Sequence, residues 1–156
     1  MLRAFKLGTA ALLLVAAAPP QAQPRIVGME ARLFLEGAGA LSKNILDANG
    51  QFSGWNTIIG EGSAEGAADD ILIIVKVGVA QPQADASLVR GPLVVSARTP
   101  KKLLAERRFS SILVPYRGSA AQALFLPNVG CAGTVKVTAT LGKQTRTATL
   151  HMDCGE

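Results

Sequence analysis

The most regular alternation of hydrophobic and polar positions lies in the last quarter of the chain. Residues 133–141 read GTVKVTATL and residues 144–153 read QTRTATLHMD, both rich in Val and Thr and both alternating with period two. That period sends apolar side chains to one face and polar ones to the other, as a half-buried strand requires. Gly142 and Lys143 separate the two runs, and a glycine at the first central position suits a type II′ hairpin turn. Pairing through that turn sets Val137 opposite Ala148, Val135 opposite Leu150 and Gly133 opposite Met152, with Thr138 facing Thr147 and Thr140 facing Thr145 on the other side. Apolar residues meet apolar ones and hydroxyls meet hydroxyls, which is what a one-sided sheet needs. Continued outward, the same register places Cys131 opposite Cys154 on the apolar face. Opposed Cα atoms stand about 4.5–5.5 Å apart, a separation that a disulfide spans.

Upstream, the pattern is less regular but of the same kind. Residues 29–35 alternate, with Met29, Ala31, Leu33 and Leu35 on one side. Residues 71–79 (ILIIVKVGV) are apolar on both faces, which predicts a central strand. Further strands are expected over 93–98, 111–114 and 122–126. Clusters of glycine, proline and acids at 37–39, 60–66, 81–85, 116–119 and 127–130 divide them. Residues 101–109 fit two states. Thr99 and Pro100 could start a helix, or turn the chain into a strand over 102–109. The flanking strands and the lack of helical periodicity elsewhere favour the strand. About seven short strands predict an all-β, single antiparallel sandwich that resembles the immunoglobulin-like arrangement, with the C-terminal hairpin closing it.

The first 22 residues belong to another category. Arg3 and Lys6 precede an apolar run over 7–18, and Pro19, Pro20, Gln21 and Ala22 follow. This is the plan of a secretory signal peptide. Cleavage is expected after Ala22; because Pro20 occupies the −3 position, cleavage after Ala18 and a retained anchor stand as alternatives. The 12-residue run is shorter than the roughly 20 residues a spanning helix needs. No cysteine near the junction could take a lipid. The domain therefore runs over 23–156, and no transmembrane segment is expected in it. Export suits a disulfide between the only two cysteines, Cys131 and Cys154. Without Arg3 and Lys6 the formal charge falls from +5 to +3, too little to nominate a polyanionic partner.

Few residues could carry chemistry. His151 is the only histidine, so any triad or multi-histidine metal site must use it. Its place in the hairpin, opposite Thr134, reads as a partly exposed strand residue. The stretch 60–66 (GEGSAEG) fails as a nucleophile elbow because Ser63 has Glu61 and Glu65 where glycines belong. It fails as a dinucleotide fingerprint for want of the third glycine. Glu61, Glu65, Asp69 and Asp70, with Asp47 and Asn49, offer oxygens for calcium, but their spacing matches no established loop. The same acids suit a solvated guard around a sticky strand. Arg98, Lys101, Lys102, Arg107, Arg108 and Arg117 form a basic cluster in sequence. On a strand Arg107 and Arg108 point to opposite faces, so a solvated surface is the preferred reading over a patch for an acidic partner. Trp55, the only tryptophan, is expected as a core anchor, with Asn56 and Thr57 bonding backbone groups beside it.

The expectation from sequence is an exported, non-enzymatic β-sandwich, periplasmic or extracellular. It would act as a binding or accessory module of the bacterial envelope on a protein or envelope partner, with no cofactor, metal, catalytic set or nucleic acid. Two alternatives stand beside it. A structural subunit of a surface assembly would form concentration-dependent oligomers, whereas an accessory module would stay monomeric alone. A small hydrolase would need carboxylates such as Glu61 and Asp70 facing one cleft.

Overall fold

The computed structural model describes residues 23–62, 64–80 and 86–155. The expected signal peptide over 1–22, the separator at 81–85 and Ser63 lie outside them. Nine strands are present among the described residues: β1 (Pro24–Leu35), β2 (Ala40–Leu41), β3 (Gln51–Trp55), β4 (Asp70–Val79), β5 (Ser87–Arg98), β6 (Leu103–Val114), β7 (Ser119–Leu126), β8 (Gly133–Leu141) and β9 (Gln144–Asp153). They form two sheets packed as a sandwich, ordered β2-β1-β4-β7 and β3-β9-β8-β5-β6.

The closing hairpin has the register that its turn dictates. Val137 pairs with Ala148, Val135 with Leu150, Gly133 with Met152 and Thr138 with Thr147. Gly142 sits at φ 58° while Lys143 is not among the residues of positive φ, the combination that a II′ turn demands. Beyond the ladder, Cys131 and Cys154 are joined, with Cα atoms 5.3 Å apart. The bridge does not prolong the strand, because Gly133 at φ 68° breaks the alternation and leaves Cys131 exposed rather than on the buried face.

Residues 103–109 are strand, not helix, and 101–102 belong to the turn before them. They join 111–114 in the single strand β6, paired with β5 from Ser87↔Val114 to Arg98↔Leu103. Thr99 serves the turn instead of a helix start. Its hydroxyl accepts the N–H groups of Lys101 and Lys102 at 3.3 and 3.2 Å, and its own N–H donates to Lys102 O at 3.0 Å. Merging these two segments leaves seven of the expected strands, and β2 and β3 bring the number to nine. β3 is the one parallel member, alongside β9 from Gln51↔Thr149 to Trp55↔Asp153.

The core lies between the sheets. β4 gives it Ile71, Ile73, Val75 and Val77, all fully buried, against Leu93, Val95, Val135, Val137 and Leu150 from the opposite sheet. Burial of such side chains contributes about 1.5–3 kcal/mol each, so this layer dominates stability. Gln144 fastens the sheets together at the hairpin end. Its Nε2 donates to Pro24 O at 2.9 Å and its Oε1 accepts the Ile26 N–H at 3.1 Å.

Candidate functional site

At the disulfide end of the sandwich, four loops meet: 56–69, 99–102, 127–132 and the residues after β9. Asn56 organises the first and last of them. Held at φ 48°, ψ 40°, it donates its N–H to Asp153 O at 2.9 Å and its Nδ2 to Glu61 at 3.0 Å. Its Oδ1 accepts the Gly155 N–H at 2.7 Å. Asn56 therefore does bond the backbone as expected. Thr57 does not, since its Oγ1 is buried without a hydrogen-bond partner among the described residues.

Trp55 is not a core anchor. It ends the edge strand β3 with half its surface, 51%, exposed. On the 3-10 turn that follows, Thr57–Ile59, Ile58 is 41% and Ile59 64% exposed. Gly130 lies so close beneath Ile58 that a Cβ there would come within 2.4 Å of its Cγ2. Beside this turn runs a groove of about 520 Å³ lined by Ile58, Asp69, Thr99, Lys101, Lys102, Leu104, Asn128, Cys131 and Ala132. A smaller groove of about 280 Å³ adjoins it through Lys102, Leu104 and Asn128, and adds Leu103, itself half exposed. Apolar tips and two lysines thus share one surface, braced from behind by the disulfide. Sequence reasoning missed Ile58, Ile59 and Leu103, because nothing local distinguishes an exposed Ile or Leu from a buried one.

The six basic residues do not assemble. Lys101 and Lys102 are in the β5–β6 turn, and Arg98 pairs with Lys136 at the adjoining strand end. Arg108 lies on the outer face opposite Val94. Arg107 opposes buried Val95, on the core side of edge strand β6. Its guanidinium lies 4.7 Å over the Phe109 ring and donates to Ala123 O of β7 at 3.1 Å. Arg117 occupies the β6–β7 turn at φ 54°, stacked over Tyr116.

The chain matches no family model and no curated protein in sequence.

The acids likewise separate. Asp69 accepts the Gly130 N–H at 2.8 Å, and Asp70 the Asn128 N–H at 3.0 Å. Asp47 closes a turn by accepting the N–H groups of Asn49 and Gln51 at 2.8 and 2.9 Å. These carboxylates hold loops, and no group of three or more metal-ligating side chains gathers among the described residues. His151 is half buried, with Nδ1 3.2 Å from the hydroxyl of Thr134. It borders a cleft of about 540 Å³ along β3, with Lys43, Asp47 and Glu65 among the other lining residues. Glu61 and Asp70, the pair a hydrolase would need, line none of these clefts. Glu30 is held below the usual glutamate range by its hydrogen bond to Lys76 and a second one to Arg32.

Proposed function

We propose that this chain is an exported, non-enzymatic β-sandwich that serves the bacterial envelope as a binding or accessory module, and that the disulfide end of the sandwich faces the partner. The observation that carries this reading is the exposure of Trp55, Ile58, Ile59 and Leu103 at this end of the sandwich, where Ile58 and Leu103 line grooves that also take in Lys101 and Lys102. Water-exposed aromatic and branched side chains on a rigid base are poor economy for a solitary protein and good anchors for a partner. Two lysines beside them favour a partner with acidic groups.

Export is supported by the closed disulfide and by the sequence of the first 22 residues. No helix among the described residues is long and apolar enough to cross a membrane. The immunoglobulin-like arrangement is supported by the strand order. The hairpin β8–β9 lies beside β5 in one sheet, while β1, β4 and β7 form most of the other, as in sandwiches where the chain crosses repeatedly from sheet to sheet.

Trp55, the single tryptophan, reports directly on this surface. Titration with envelope fractions should move its emission to shorter wavelength and saturate. Ile59→Asp should weaken that response at least tenfold while leaving the melting temperature unchanged. A Trp55 emission indifferent to envelope material, or an Ile59→Asp variant that responds like the parent, would refute the assignment.

A further inference from the structure

The two sheets differ on their outer faces. The five-stranded sheet shows water Thr134, Thr138, Thr140, Thr145 and Thr147, with charges such as Arg108 and Glu106 alongside. The four-stranded sheet shows it a largely apolar face. Its registers set Phe34 beside Leu41, Leu72 beside Phe125, and Ile74 beside Ala123. Phe125 is 48% and Leu41 42% exposed, and Phe34, Leu72 and Ile74 are half buried only by their neighbours in the sheet. Antiparallel sheets that meet water normally alternate apolar inside with polar outside. β4 departs from that rule, setting Leu72 and Ile74 on its outer side between Asp70 and Lys76.

We infer that this face packs against the same face of a second copy, giving a reversible two-fold dimer. Two observations select that occupant. The charges on the face balance, Glu30 and Asp70 against Arg32 and Lys76, with Glu30 paired to both cations. A copy turned through 180° can set acid against base, which an isologous contact requires, whereas no excess of one sign calls for an oppositely charged partner. The size allows only a weak contact. Three strands about 4.8 Å apart and about seven residues long, with the two-residue β2 beside them, present roughly 360 Å² in projection, or about 730 Å² for two copies. That lies below the usual range of specific interfaces, so dissociation in the upper micromolar range is expected.

Strand-to-strand growth at the sheet edges is obstructed. β2 has two residues, and Gly62 lies against the Trp55 backbone, where a Cβ would stand 3.0 Å from its carbonyl oxygen. On the other side Arg107 points inward from β6 and occupies Ala123 O of β7. Guarded edges leave face-to-face packing as the closed solution. This inference does not rest on the loop-end reading.

Sedimentation equilibrium of the purified exported protein across micromolar concentrations tests it. The parent should pass from monomer to dimer and stop there. Ile74→Lys should raise the dissociation constant at least tenfold, and Thr138→Lys on the opposite outer face should leave it unchanged. Phe125→Glu, at a half-exposed position, gives the same readout if Ile74→Lys does not fold. A parent that stays monomeric at every concentration, association untouched by both face variants, or oligomers that grow past the dimer would each overturn the proposal.

Discussion

Thr57 and Glu30 show how much a single side chain can cost or contribute here. The Thr57 hydroxyl is buried and unbonded among the described residues, and a lost hydrogen-bonding opportunity of this kind costs about 1–3 kcal/mol. Thr57→Val keeps the shape and removes the hydroxyl. It should raise the stability measured by urea denaturation by about 1 kcal/mol, and an unchanged or lower midpoint would mean that the hydroxyl has a partner after all. Glu30 works in the other direction. Lys76 and Arg32 hold its pKa down, so its contribution is present in full above the ordinary glutamate pKa and disappears as pH falls through the lower folded value. Lys76 and Arg32 are 41% and 34% exposed, and water screens the pairs to about 0.5–1 kcal/mol. Glu30→Gln should therefore be less stable than the parent at pH 7 and equal to it near pH 2. A difference that persists in acid would assign the effect to packing.

At the scale of elements, the C-terminal hairpin was legible and β3 was not, for physical reasons. The hairpin is local, its glycine sits at the position where φ must be positive, and one sheet face is buried, so a slipped register would expose every apolar side chain. β3 carries Gly54 where an inward apolar residue would announce a strand. A Cβ there would meet Thr57 Cγ2 at 2.7 Å and the Phe52 ring at 2.9 Å, so the packing needs glycine and erases the pattern. Its partner β9 is also about a hundred residues away, beyond any local signal. Trp55 was misread for the same reason, since the C-terminal tail lies over its ring and Gly155 approaches Cζ2 so closely that a Cβ would stand 3.0 Å away. Arg107 shows the converse, a charge on the core side of a strand that only the β6 edge explains. The bridge closing the hairpin should stabilise the fold by about 3 kcal/mol in the chain-entropy picture. Replacing both Cys131 and Cys154 with Ser should lower the denaturation midpoint accordingly without changing the far-ultraviolet spectrum. A loss of all strand signal would mean that the core cannot hold the hairpin unaided.

For the whole molecule, an all-β sandwich followed from alternation, glycine-marked turns and the lack of helical periodicity, while its working surfaces did not. Exposure is a property of the assembled sheets. Leu72 and Ile74 look the same in sequence as Ile71 and Ile73, yet one pair faces outward and the other the core. The basic and acidic residues, adjacent along the chain, are dispersed by strand direction and by the loops they brace. What joins the proposed compartment to the architecture is the Cys131–Cys154 bridge, which an oxidising environment favours and which completes the end of the sandwich where Trp55, Ile58 and Ile59 are displayed. Intact mass of the protein recovered from the envelope or medium, kept unreduced, examines both at once. The account predicts a chain beginning at Gln23 and lighter than its reduced form by the two thiol hydrogens. Two free, alkylatable thiols in that material would contradict it.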